Sequence, residues 1–207
     1  MKTIAFIPVR GGSKSIPLKN VKSFCGKPLV YWTARAAQYT KEIDEVIIGT
    51  DSEEIKKTVL AFGFNKLKVY DRSKVNAADS SSTESVMLEY LNGVNLNSLD
   101  TFVLIQATSP FLLETDLSKG ILQLKNSKSD SLLSCAIVKR FFWNKEGMAI
   151  NYDFKNRPRR QDFEGTLIEN GAFYINTVSN ILKFGNRLSG NIEIYQMPEY
   201  SMTEIDE

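Results

Sequence analysis

Between positions 10 and 20 the chain brings together Arg10, Gly11, Gly12, Ser13, Lys14, Lys19 and Asn20, with no acidic residue among them. Two successive glycines let neighbouring backbone N–H groups point into one concavity, and three cations neutralise most of a triphosphate, whose charge near neutral pH is about −4. By composition this is an anion site. The spacing is neither G-x-G-x-x-G nor G-x-x-x-x-G-K-[ST], so a dinucleotide fingerprint and a P-loop both fit badly. A tight surface turn with solvated lysines is the other reading of the same residues.

The absence of histidine narrows the chemistry further. It removes Ser-His-Asp and Cys-His nucleophile systems, imidazole acid/base work and every His-containing zinc site. Catalysis must rest on Lys, Arg, carboxylates, amides or hydroxyls. Cys25 and Cys135 are far apart and form no C-x-x-C pair, so they read as reduced fillers. Asp79-Ser80-Ser81-Ser82 opens a helical segment, where a hydroxyl-rich N-terminus suits a polar ligand and serves equally well as a plain capping box.

These groups need a scaffold. Residues 3–9 form a short, nearly continuous apolar run, the pattern of a strand buried on both faces, and it ends directly in the Arg10 loop. Residues 28–39 carry Leu29, Trp32, Thr33 and Ala36 at helical spacing, and 46–50 read as a second buried strand, which makes a β-α-β unit. Asp51-Ser52-Glu53-Glu54 supplies an N-cap and acidic first turn for a helix to about Phe62, with Gly63 as its C′ residue. Strands at 67–70, 101–105, 131–138, 171–176 and 192–197, with helices at 82–91, 113–124 and 177–184, complete the alternation. The expected fold is α/β, a doubly wound and mostly parallel sheet, in which ligands bind at the C-terminal ends of the strands.

The alternation breaks between 139 and 170, where Phe141, Phe142, Trp143, Arg157, Arg159 and Arg160 accumulate. This reads as an arm inserted into a single domain spanning 1–207. A basic surface arm and an RNA-facing patch are its alternatives.

A chain of 207 residues with 43% hydrophobic and 24% charged residues has the proportions of an ordinary globular protein. Its formal charge of +2 is too small for a general field that attracts nucleic acid or anionic membrane, so a polyanion must be bound locally. The N-terminal apolar run is shorter than a signal h-region, and no stretch approaches the ~18 apolar residues of a membrane span, so a cytoplasmic location is expected.

The segment Ile7-Pro8-Val9-Arg10-Gly11-Gly12-Ser13-Lys14-Ser15-Ile16-Pro17-Leu18-Lys19-Asn20 resembles the signature of the CMP-sialic acid synthetases, or acylneuraminate cytidylyltransferases. Further blocks resemble the same family in the same order: Gly26-Lys27-Pro28-Leu29, Thr50-Asp51-Ser52-Glu53-Glu54-Ile55, Gln106-Ala107-Thr108-Ser109-Pro110, Arg157-Pro158-Arg159-Arg160-Gln161-Asp162 and Glu169-Asn170-Gly171-Ala172-Phe173-Tyr174. The Arg-Pro-Arg-Arg-Gln-Asp block resembles the animal-type enzymes and their bacterial relatives more than the shorter version in many bacterial enzymes. Ile168 departs from them, standing where animal-type relatives tend to have Tyr.

The resemblance implies a nucleotidyltransferase that activates a nine-carbon 2-keto sugar acid, of sialic acid or KDN type, with CTP and Mg²⁺, giving CMP-sugar and pyrophosphate. It implies that Arg10, Lys14 and Lys19 hold the phosphates and stabilise developing charge, with Gly11, Gly12, Ser13, Asn20, Arg72 and Ser82 around the nucleotide. Such transfer is mostly positioning and electrostatics and needs no histidine. Gln106, Arg160, Gln161 and Tyr174 fall on sugar-side positions, a guanidinium being suited to grip the sugar's carboxylate. The arm would pair two subunits into a homodimer.

The family places an Asp-x-Asp near the chain end for Mg²⁺; the matching segment here is Glu204-Ile205-Asp206. Asp206 matches, Glu204 is one methylene longer, and a solvated acidic tail is the alternative. Rival functions are a cytidylyltransferase for a legionaminic, pseudaminic or Kdo-type acid, and a catalytically weak nucleotide-binding dimer.

Overall fold

The computed structural model describes residues 1–12, 16–78, 81–203 and 205. Ser13, Lys14, Glu204 and Asp206, all candidates above, lie outside the described residues, as do Asp79 and Ser80 of the hydroxyl-rich segment.

The chain runs as β1 (Thr3–Pro8), a two-residue hairpin β2 (Ser23–Phe24) and β3 (Lys27–Pro28), α1 (Leu29–Tyr39), β4 (Glu45–Thr50), α2 (Glu53–Leu60), β5 (Leu67–Asp71), α3 (Thr83–Gly93) and β6 (Thr101–Ile105). It continues with α4 (Glu114–Asn126), β7 (Ser131–Val138), β8 (Thr166–Thr177), α5 (Val178–Phe184) and β9 (Ile192–Met197). Seven strands form one sheet in the order β5-β4-β1-β6-β8-β7-β9. All pairings are parallel except those of β8, which runs against both β6 and β7.

Alternating side chains of each central strand feed two cores, which is why these segments read as continuous apolar runs. Ala5, Ile7 and Val9 of the first segment, with Val46, Ile48, Val103 and Ile105, pack against α1, α2 and α4 through Val30, Ala34, Ile55, Val59, Leu117 and Ile121. Ile4, Phe6, Ile47, Phe102 and Leu104 face the other way onto Val86, Met87, Tyr90 and Leu91 of α3 and Val178 and Ile181 of α5. Gly49 is a packing requirement of the second core, because a Cβ there would stand 2.7 Å from Phe6 Cζ. The helices thus cover both faces, as doubly wound topology demands.

Most boundaries fall within two residues of the sequence expectation, and two that differ do so for local reasons. The helix after β4 stops at Leu60; Ala61, Phe62 and Gly63 close it with short-range turns, Gly63 taking φ +67° two residues past the Ala61 cap. Strand β8 begins at Thr166, five residues earlier than the expected 171, so 166–170 belong to the sheet and the irregular segment is 139–165. The extra length was hidden by a bulge. The register jumps from Leu133↔Tyr174 to Cys135↔Glu169, and Ser134 bridges the gap by donating to Phe173 O at 3.1 Å and accepting from Phe173 N at 3.0 Å. Gly171 takes φ +67° within the bulge, a conformation that favours glycine.

Candidate active site

The candidate residues gather where the parallel strands end. Arg10 follows β1, Asp51 and Ser52 follow β4, Arg72 follows β5, and Gln106 follows β6. This edge is where open α/β sheets bind ligands. Pro8, Arg10, Arg72, Ser81, Ser82, Thr83 and Val86 line an open cleft of about 260 Å³ there. A larger hollow of about 550 Å³ opens at the opposite sheet edge, around Thr3, Thr101 and Thr177, and contains none of the candidates.

The start of the Arg10 loop is anchored by main-chain bonds. Val9 N donates to Gly49 O at 2.8 Å, and Gly11 N donates to Asp51 Oδ1 at 3.0 Å. Gly11 is required by close approach, because a Cβ at that position would come within 2.8 Å of Ser52 Cβ. Gly12 differs: nothing lies within 4 Å of its would-be Cβ, so the space beside it is open. Lys19 and Asn20 sit in a 3-10 turn, Lys19–Val21, entered through Leu18 at φ +53°. Asn20 is buried, and its Oδ1 has no hydrogen-bond partner.

Arg72 is 8% exposed, and its guanidinium donates through Nη2 to Asn76 O while Nε is left without a partner. Burial pushes its pKa down, Asp51 and Glu89 pull it up, and Arg10 pushes it down again. Guanidinium remains charged through such shifts. A buried cation with an unspent donor beside a second arginine is built to receive an anion.

Ser82 is the N-cap of α3, its Oγ accepting from Ser85 N at 3.1 Å. The capping reading is therefore realised, and it leaves the hydroxyl proton of Ser82 free to donate towards the cleft. The helix N-terminus adds its own positive end.

Gln106 is half-buried and its backbone N–H donates to Ala172 O at 3.1 Å, so it lies directly against the β8 bulge. Bulges commonly re-aim chain beside active sites. Asn170 in the same bulge donates to Ser201 Oγ at 2.9 Å, and Ile205 N donates to Thr108 O at 3.1 Å. The C-terminal stretch is thus tied down over the Gln106 loop.

The other sugar-side candidates lie elsewhere. Arg160 and Gln161 are exposed on the irregular segment, and Arg160 lines a separate basic cleft of about 480 Å³ with Lys139, Arg140, Phe141, Arg157 and Arg159. Arg157 stacks over the Phe141 ring at 4.5 Å, and Arg159 pairs with Asp162 at 2.6 Å. Tyr174, the remaining sugar-side candidate, lies inside the sheet. It is 3% exposed in the second core, its hydroxyl bonds Glu169, and Arg187 covers its ring at 4.7 Å. Strand alternation puts the ring on the face opposite Phe173 and Ile175.

Four contributors were missed by sequence reasoning. Asp51, which the sequence places in a helix cap and in the block from Thr50 to Ile55, also holds Gly11. Glu84 and Arg187, 103 positions apart, form a largely buried pair at 2.6 Å that ties the first turn of α3 to the loop after α5. Glu89 is the fourth. None carries a local sequence signal, because each acts by long-range contact.

Among the described residues no cluster of three His, Cys, Asp or Glu groups could hold a metal ion. The candidate carboxylates Glu204 and Asp206 lie outside that set.

Comparison with known proteins agrees with this arrangement. Residues 4–196 match the family described as Cytidylyltransferase. N-acylneuraminate cytidylyltransferase of Oncorhynchus mykiss is 38% identical over 207 residues, covering 96% of this chain and 46% of the relative. Pseudaminic acid cytidylyltransferase of Campylobacter jejuni is 29% identical, covering 100% of this chain and 91% of the relative. The chain therefore spans about half the length of the fish relative and nearly all of the bacterial one. The solved structure of CMP:2-keto-3-deoxy-manno-octonic acid synthetase complexed with CTP superposes with a TM-score of 0.69 at 18% identity, over 96% of this chain and 90% of that one. Francisella tularensis 2-C-methyl-D-erythritol 4-phosphate cytidylyltransferase gives 0.69 at 12% identity, over 100% and 94%. These likenesses establish the fold, and the match over residues 4–196 establishes that the chain belongs to the cytidylyltransferase family.

Proposed function

We propose that the chain transfers a cytidylyl group from CTP to a nine-carbon 2-keto sugar acid of sialic acid or KDN type. The observation that carries this reading is the juxtaposition of Arg10 with the buried Arg72, whose Nε has no partner, at the N-terminus of α3. The sugar's anomeric oxygen forms a bond to the α-phosphorus, the bond from that phosphorus to the bridging oxygen breaks, pyrophosphate leaves and the hydroxyl proton is lost to solvent. Charge accumulates on the phosphoryl oxygens and on the leaving group. Arg10, Arg72 and the α3 N-terminus, joined by Lys14 and Lys19, stabilise that charge and hold the reacting groups in line.

Asn20 and Ser82 offer a buried carbonyl oxygen and a hydroxyl to the nucleoside side, and Gly12 leaves open space beside the phosphates. Gln106 contacts the sugar from the end of β6. Arg160 and Gln161 belong to an arm that meets the sugar carboxylate of a second subunit in a homodimer. Exposed Trp143, Ile150 and Phe154 on that arm support an interface role.

Asp206 and Glu204 would hold Mg²⁺. Two carboxylates suit that ion, and the bond from Ile205 to Thr108 supports placing their segment at this edge. Bound Mg²⁺ would neutralise phosphate charge. The same activity on pseudaminic acid is a second reading, supported by the similarity to the C. jejuni enzyme along almost its whole length. No helix among the described residues is long and apolar enough to cross a membrane, which accords with a cytoplasmic enzyme.

Titration of the protein with CTP, UTP and ATP tests the nucleotide half of this reading. CTP is expected to bind at least ten-fold more tightly than the others. Equal affinity for all three would overturn it.

A further inference from the structure

Arg72 must stand at the cleft without collapsing onto its neighbours, yet it follows an outer strand and precedes an irregular stretch. What holds that stretch is one carboxylate on α3. Glu89 Oε1 accepts from Ser73 N at 2.8 Å and from Tyr70 Oη at 3.0 Å, and Oε2 accepts from Ser73 Oγ at 2.6 Å and from Asn76 Nδ2. Ser73 Oγ accepts in turn from Asn76 N at 3.3 Å. The loop so gathered presents Asn76 O, which receives Arg72 Nη2. Each carboxylate oxygen takes two donors, so the acceptor capacity of the group is well used. Glu89 itself lines none of the cleft.

We propose that Glu89 is a positioning residue for the nucleotide site: by clamping residues 73–76 it sets the direction of the Arg72 guanidinium. The inference rests on the reading of the cleft as a CTP site. Burial pushes the Glu89 carboxyl up, but the bonds from Ser73, Asn76 and Tyr70 hold it down at about 2, so the clamp is fully ionised under ordinary conditions. Tyr70, whose hydroxyl burial and Glu89 push up to about 12, stays a donor throughout that range.

The test is steady-state kinetics on Glu89→Ala, Glu89→Gln, Arg72→Ala and the Arg72→Ala/Glu89→Ala double variant, with amide hydrogen exchange over 73–76. Loss of the clamp is expected to raise KM for CTP about ten-fold in Glu89→Ala, with kcat and KM for the sugar acid within about two-fold of wild type. Glu89→Gln keeps one acceptor oxygen but turns an amide N–H₂ towards Asn76 Nδ2, so it falls between. The double variant is expected to be no worse for CTP than Arg72→Ala alone, because one residue acts through the other. Leu91→Val, buried on the same helix, separates positioning from stability: it should lower the melting temperature and leave KM for CTP unchanged.

An unchanged KM for CTP in Glu89→Ala would overturn the proposal. So would effects that multiply in the double variant, or an equal rise in Leu91→Val. Wild-type protein that bound no CTP would contradict the assigned function instead, and the exchange rates would then decide: faster exchange at 73–76 in Glu89→Ala upholds the clamp, and unchanged exchange removes it.

Discussion

Gly11 donates its backbone N–H to Asp51 Oδ1 at 3.0 Å, which moors the loop after β1 to the residue that follows β4. The bond forms because the two loops touch at Gly11, where a side chain would collide with Ser52. Gly11→Ala should therefore push the loop outward, break this bond and lower turnover at least ten-fold, at a stability cost of roughly 1–3 kcal/mol. Gly12→Ala meets open space and should melt at or slightly above the wild-type temperature. Thermal melts on both variants check the contrast, with CTP turnover followed for Gly11→Ala; equal loss of stability in both would show that Gly11 has no special proximity to Ser52.

Arg72→Ala should weaken CTP binding by about 10–100-fold while the protein stays folded, the loss expected for charge-assisted hydrogen bonds to a phosphate. Arg72→Lys should recover little of it, since the donors of an ammonium all sit on one nitrogen and do not reproduce the separate positions of Nη2, bonded to Asn76 O, and Nε. Calorimetric titration with CTP measures both, and full rescue by lysine would reduce Arg72 to a simple point charge.

The Glu84–Arg187 pair sets an acid limb for stability. The hydrogen bond from Arg187 lowers the Glu84 pKa, against burial, which raises it. A carboxylate lowered on folding contributes fully above its unfolded value, about 4.3, and the contribution is lost as pH falls through the lower folded value. Glu84→Gln should cost roughly 1–2 kcal/mol at pH 7, with the gap to wild type closing below about pH 4. Melting temperatures of the two proteins from pH 7 to pH 3 test this. A gap that stayed constant would mean that Glu84 titrates alike in both states.

Asp206→Ala should raise the Mg²⁺ concentration needed for half-maximal activity by an order of magnitude, with Glu204→Ala the milder variant. A Mg²⁺ titration follows it directly. Superimposable curves would place the metal away from the chain's C-terminal carboxylates.

Much of this architecture could be read from the chain because its signals are local. Continuous apolar runs at 3–9 and 101–105 announce strands buried on both faces, and the glycine after Arg10 announces a close approach, met at Ser52. The early start of β8 escaped the reading, since residues 166–169 are set off from 173–177 by a bulge at Asn170 and Gly171 and do not alternate as one strand with them. Tyr174 shows the same limit at the scale of a side chain: its motif is local, but its contacts with Glu169 across the bulge and with Arg187 form only in the assembled fold. The roles of Glu89 as a clamp and of Asp51 as the partner of Gly11 were not legible for a related reason. Their partners, Ser73, Asn76 and Gly11, are brought near only when the strands are assembled in register.

The central claim is the joining of CTP to a nine-carbon acid, and pyrophosphate release with saturating Mg²⁺ tests it most directly. N-acetylneuraminate, its deaminated analogue, pseudaminate and Kdo are offered in turn with CTP, and UTP and ATP replace CTP in parallel. Release is expected with CTP and a nine-carbon acid, strongest with a sialic acid or its deaminated analogue, and absent with Kdo, with UTP and with ATP. Silence with every nine-carbon acid while CTP remains bound, or release that ignores the identity of the nucleotide, would contradict the account.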